Sequence, residues 1–138
     1  MSDTRIGISV RCTEIDVNGH VNNTKYLEYY EWGREDWYEQ HNLPYDALSD
    51  QGIITVVARA EVDYRAAAKQ NDQLWISSRL LQVGRTSFHM QQKIVGDTGE
   101  IVNEALFVIV TVDRETGKPV PVPTAISQHL SGKDSNVE

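Results

Sequence analysis

Asp16-Val17-Asn18-Gly19-His20-Val21-Asn22-Asn23-Thr24-Lys25-Tyr26 is the stretch on which the fold turns. Its first half, from Asp16 to His20, is rich in residues that favour turns. Its second half starts a helix. Asn22 or Asn23 can accept a hydrogen bond from an unpaired backbone N–H of the first turn. Tyr26, Tyr30, Gly33 and Trp37 then recur at the spacing of one helical face. The helix is predicted over residues 23–41, with Asn42-Leu43-Pro44 as its stop. Gly33 costs about 1 kcal/mol inside it relative to alanine, and a close approach to a sheet explains that choice.

Working outward, the period on both sides is two rather than helical. Ile6, Ile8, Val10 and Cys12 alternate with Arg5, Gly7, Ser9 and Arg11, a strand over residues 5–13. From Ile53 onward, Ala58, Ala60, Val62 and Tyr64 alternate with Arg59, Glu61, Asp63 and Arg65, one buried and one wet face. Residues 74–83 form the next strand. Residues 86–95 follow, with Phe88, Met90 and Ile94 facing one way and His89, Gln91 and Lys93 the other. Asp97-Thr98-Gly99 turns the chain into residues 100–113, whose segment 105–112 is nearly all apolar and predicts burial on both faces. Pro119, Pro121 and Pro123 end the pairing. A short last helix is predicted over 124–130 and a loose tail over 132–138.

One helix of about 18 residues is ~27 Å long, enough to cross five strands at ~4.8 Å each. The chain of 138 residues thus reads as a single α+β domain, residues 1–138, with one long helix on one antiparallel sheet of five or six strands. An open sheet leaves an edge strand exposed, which predicts a homodimer or homotetramer with sheets joined across a two-fold.

The net charge of −7, from 20 acidic and 13 basic residues, argues against nucleic acid as a partner, because binding it needs a basic stripe. No apolar run approaches the ~20 residues of a membrane span, so no membrane insertion is expected. Cys12 is the only cysteine, and nothing like a secretory signal opens the chain. Together these point to a reducing, cytoplasmic compartment. Cys12 has no histidine partner nearby in sequence and reads as an inert buried thiol. His20, His41, His89 and His129 show no metal-binding spacing.

The chemistry concentrates at residues 16–26. A helix start carries unpaired N–H groups and positive potential, which suits an oxygen that becomes negative in a transition state. A carboxylate beside it can activate water or attack a carbonyl itself. Asp16-x-x-Gly19-His20-Val21-Asn22-Asn23-x-x-Tyr26, followed by Tyr30-Glu31-x-x-Arg34, resembles the signature of 4-hydroxybenzoyl-CoA-thioesterase-like acyl-CoA thioesterases. Asp16-Val17-Asn18 with His20-Val21-Asn22-Asn23 also resembles the active-site motif of acyl-ACP thioesterases. Weaker likenesses extend through Val62-x-Tyr64, Gly84-Arg85-Thr86-Ser87-Phe88 and Val112-Asp113 to Gly117-Lys118-Pro119.

Both families have the hotdog fold, so the resemblance implies that fold and thioester hydrolysis. It implies Asp16 as the catalytic carboxylate, Asn18 and His20 as orienting side chains, and the Asn23 backbone N–H as the donor to the thioester carbonyl. The expected substrate is an acyl-CoA, with an ester on acyl carrier protein as the alternative, and no cofactor is required. The chain departs from many acyl-CoA members by carrying Glu14 two residues before Asp16. Other readings are an enoyl-thioester hydratase and a non-catalytic acyl-thioester-binding module. Glu31 and Arg34 read as a helical ion pair. Tyr26, Tyr30 and Trp37 read as core aromatics. Arg65, Lys69, Arg85, Arg114 and Lys118 are candidates for the CoA phosphates.

Overall fold

Alternating segments become strands and the single 3.6-period segment becomes a helix in the computed structural model, which describes residues 3–130. Strand β1 (Thr4–Ser9) leads through a 3₁₀ turn at Cys12–Glu14 to helix α1 (Lys25–Gln40) and the short α2 (Tyr45–Ser49). Then come β2 (Ile53–Tyr64), β3 (Gln73–Val83), β4 (Ser87–Gly96), β5 (Ile101–Asp113) and α3 (Thr124–Ser127). The five strands form one antiparallel sheet in the order β1-β3-β4-β5-β2. The α+β architecture of one long helix on one sheet is therefore observed. The tail expected over 132–138 lies outside the described residues.

Helix α1 crosses the sheet with Tyr26, Tyr29, Tyr30, Gly33 and Trp37 buried. Below it lie Ile76, Phe88, Met90, Ile94, Phe107 and Ile109, each no more than 3% exposed. Gly33 is the point of closest approach: a Cβ there would stand 2.7 Å from Ile76 Cγ2. The helix begins two residues later than expected. Asn22 Oδ1 accepts from Thr24 N and Thr24 Oγ1 at 3.0 and 2.9 Å, so the Asx turn precedes the helix and Asn23 stays outside it. At the other end Asn42 takes φ 62° and Leu43 N–H returns to Tyr38 O at 2.7 Å, which breaks the helical path as its sequence predicts.

Four expectations are corrected. The first strand stops at Ser9, because Glu14 accepts from Arg11 N at 2.9 Å and Tyr29 OH at 2.8 Å and curls the chain into the 3₁₀ turn. Cys12 rides on that turn and is exposed rather than buried. Strand β2 has no continuous buried face: Ala58, Arg59, Ala60 and Glu61 are all exposed, because β2 is an edge strand paired with β5 on one side alone among the described residues. Strand β5 alternates instead of being buried on both sides. Ala105, Phe107 and Ile109 lie under α1, while Leu106, Val108 and Val110 are half-buried on the outer face.

The C-terminal end of α1 holds two packed imidazoles. His41 Nδ1 lies 2.6 Å from Trp37 O, and the His41 and His129 rings stand 4.2 Å apart at their centroids. The Nε2 atom of each is buried without a hydrogen-bond partner among the described residues. Desolvation, and then the neighbouring His41, lower the pKa of His129 from its ordinary 6.5. The unfolded chain therefore takes up this proton first as pH falls. Stability present above pH 6.5 is lost as pH drops from there toward the native value. Thermal unfolding scanned from about pH 8 to about pH 5 should show this loss, and His129→Leu should flatten it. An unchanged slope in the variant would assign the loss to other groups.

Candidate active site at the start of the long helix

The segment from Asp16 to Val21 is a small closed loop. Ile15 and Val21 form a bridge, Asp16 N donates to His20 O at 2.9 Å, and Gly19, at φ +79°, donates to Asp16 O at 3.0 Å. That φ is why a glycine stands there. Inside the loop Asp16 Oδ1 accepts from Asn18 N at 2.9 Å and His20 N at 3.4 Å. Its other oxygen takes no bond among the described residues, and the residue is half-buried. One oxygen is fixed by the loop, and no described residue engages the other.

Asn18 and His20 flank this carboxylate with exposed side chains. The loop joins His20 to Asp16 through backbone atoms, and neither the His20 ring nor the Asn18 amide bonds to the carboxylate. Asn23 is exposed, and its backbone N–H has no acceptor among the described residues. Segment 64–68 braces this end of the helix. Tyr64 OH donates to Asn23 O at 3.1 Å, Val21 N donates to Ala68 O at 2.8 Å, and Ala68 N donates to Tyr26 OH at 3.2 Å. Arg65 and Lys69 therefore stand beside the loop, although Arg65 already pairs with Glu104 at 3.1 Å. Arg114 is occupied by Ser49, and Arg85 and Lys118 are exposed. Glu14 is buried and bound to Tyr29, so it belongs to the support of the loop.

A second feature escaped the sequence reading. A pocket of about 430 Å³ opens between the second half of α1, α2 and the first residues of β2. Arg34 lines it and forms no ion pair with Glu31. Instead its Nη1 donates to Gln92 Oε1 at 3.1 Å and its guanidinium lies 4.3 Å from the Phe107 ring centroid. The signal was the ladder Tyr30, Arg34, Tyr38 at four-residue spacing, which places Arg34 on the sheet-facing side rather than beside Glu31. No group of three or more His, Cys, Asp or Glu side chains among the described residues is arranged to hold a metal. No described helix is long and apolar enough to cross a membrane.

Residues 10–130 match the family model described as the thioesterase-like superfamily. The chain belongs to that superfamily. Among thioesterase-like relatives, the long-chain acyl-CoA thioesterase FadM of Escherichia coli is 32% identical over 124 residues, spanning 89% of this chain and 93% of its own. The acyl-CoA thioester hydrolase YbgC of Escherichia coli is 29% identical over 119 residues, spanning 86% and 89%. A 1,4-dihydroxy-2-naphthoyl-CoA thioesterase from Synechocystis superposes with a TM-score of 0.86 at 18% identity, over 96% of this chain and 98% of that one. That likeness shows the hotdog fold. Membership and relatives together make this thioesterase-like chain a thioester hydrolase.

Proposed function

We propose that the chain hydrolyses an acyl-CoA ester, with Asp16 as its catalytic carboxylate. The observation that carries this reading is the pairing, at one helix start, of a carboxylate with one open oxygen and a backbone N–H without an acceptor. The Asn23 N–H receives the thioester oxygen as it gains charge. Asp16 removes a proton from water, or attacks the carbonyl carbon and is freed by water in a second step. In both routes the C–S bond breaks and the thiolate leaves without a strong acid, because a thiol pKa is only about 8.5. Asn18 orients the water, and His20, exposed in the same loop, helps to orient it. Lys69 stands where the CoA phosphates can reach it.

Two chains complete the site in this reading. Tyr64, near one end of β2, touches the start of α1, while the pocket lies at the other end, beside Ile53 and Thr55. Joining two β2 edges antiparallel across a two-fold near Val57–Ala60 sets Tyr64 of each chain against Ile53 of its partner. The Asp16 loop of one chain then faces the pocket of the other. Val56, Val57 and Tyr64 are 44%, 43% and 51% exposed, an edge that such pairing would cover.

Thiol release from acyl-CoAs of short, medium and long chain, run beside light scattering, tests both parts. Turnover on at least one class and a mass of at least two chains are expected. Val57→Glu, which sets like charges together near the axis, should yield monomers and lower turnover at least about tenfold. A fully active monomer would overturn the shared site, and no thiol release from any ester would overturn the reaction.

A further inference from the structure

The Arg34 pocket holds a cation that forms no ion pair among the described residues. Gln92 cannot turn away from it, because Gln92 Nε2 donates to Tyr30 O at 3.0 Å and Ser78 Oγ at 2.8 Å, which leaves Oε1 toward the guanidinium. No carboxylate lies within ion-pair distance of Arg34 among the described residues. Burial lowers the Arg34 pKa, against Tyr38, Glu31 and Glu35, which raise it. The N–H groups not used by Gln92 have no acceptor among the described residues, and none is sealed off as a buried unpaired atom. They reach the pocket. Leu43, Leu48, Ile53, Val57 and Ile109 give it an apolar wall, and Glu31, Glu35 and Glu39 line it together with Arg34.

Such a floor discriminates. A plain hydrocarbon tail pushed against it would strip water from charged donors and offer them nothing, which is costly. A tail ending in an oxygen acceptor would replace that water with a charge-assisted hydrogen bond. A carboxylate would also meet Arg34, but Glu31, Glu35 and Glu39 line the same pocket and set three negative charges against one positive.

We infer that the pocket receives the far end of an acyl group carrying a neutral oxygen acceptor, a hydroxyl or ketone, and that Arg34 is the residue that selects it. This inference rests on the hydrolase reading for the identity of the ligand as an acyl thioester, but its test does not depend on turnover. Medium-chain acyl-CoAs ending in methyl, hydroxyl or carboxylate are compared on the wild-type chain by kcat/KM. The same esters are titrated by calorimetry onto Asp16→Asn. The hydroxyl ester should exceed the methyl ester by about thirtyfold or more in both measurements, since a site built to bond an oxygen rejects the analogue lacking it. The carboxylate ester should fall below the hydroxyl ester.

Arg34→Gln should bring the hydroxyl-to-methyl ratio to within about threefold, with Arg34→Lys between. The wild-type ratios decide if neither variant folds. Ranking in binding without turnover would leave the pocket assignment standing and remove the hydrolase reading. Turnover with hydroxyl and methyl esters equal would do the reverse. A preference for carboxylate, or a hydroxyl preference that survives in Arg34→Gln, would overturn the assignment, and binding of none of the esters would overturn both readings.

Discussion

Asp16→Asn should lower thiol release by at least about a hundredfold, roughly 2.7 kcal/mol of transition-state stabilisation, while leaving the thermal midpoint nearly unchanged. The geometry separates the two effects. The oxygen that holds the loop together, accepting from Asn18 N and His20 N, is kept as the amide oxygen of asparagine. The oxygen that takes no bond among the described residues becomes an NH₂ group, which neither attacks a carbonyl nor removes a proton from water. Asp16→Ala is the less informative change, because it also releases the two N–H groups of the loop. Full activity in Asp16→Asn would remove the carboxylate from the mechanism. Loss of an enoyl double bond without thiol release would point to a hydratase on the same fold. Tight ester binding with no turnover in the wild type would point to a binding module.

The sequence is most legible where one side of an element is buried by its own chain. Tyr26, Tyr30, Gly33 and Trp37 recur at the spacing of one helical face and lie on the sheet. Phe88, Met90 and Ile94 fall on one strand face by alternation and are buried beneath that helix. Strand β2 shows where the reading fails. Its alternation of Ala58, Ala60 and Val62 with charged residues is what a half-buried strand carries, yet its position at the sheet edge leaves residues 56–61 exposed on both faces. Periodicity reports that a strand exists; its neighbours are set by topology that no local pattern encodes.

The site divides the same way. A carboxylate, amides and an imidazole ahead of a helix are visible as a motif, and the fold does gather Asp16, Asn18, His20 and Asn23 at the helix start. The motif does not show that Asp16 meets its neighbours through their backbones, nor that one of its oxygens is left open. Arg34 departs from its sequence pattern for a related reason. Three residues after Glu31 it looks like half of a surface pair, whereas the helix rotates it over Phe107 and Gln92. Side-chain spacing gives neighbours along a helix, and only the packed sheet shows which of them competes for the charge.

Gly33→Ala should destabilise the chain by about 2 kcal/mol, and Gly33→Leu should prevent folding. Intrinsic propensity says the opposite, since alanine is favoured over glycine inside a helix by about 1 kcal/mol. The contacts decide against propensity here. A Cβ at this position would meet Ile76 Cγ2 at 2.7 Å, Gln92 Nε2 at 2.9 Å and Ser78 Oγ at 3.0 Å. Ile76 is fully buried and has no space to withdraw into. Gln92 is tied to Tyr30 O, Ser78 Oγ and Arg34, so moving it strands buried polar atoms at roughly 1–3 kcal/mol each. Lifting α1 instead would open the core along its length, and overpacking of this kind typically costs about 1–3 kcal/mol. After the gain in propensity, a net loss near 2 kcal/mol corresponds to a fall of roughly 5–10 °C in the thermal midpoint. The same displacement would unseat the acceptor that holds Arg34, so Gly33→Ala should also weaken ester binding in the pocket although residue 33 does not line it. A midpoint equal to or above that of the wild type would show that the helix can lift from β3 and β4 at little cost, and that helical propensity alone governs this position.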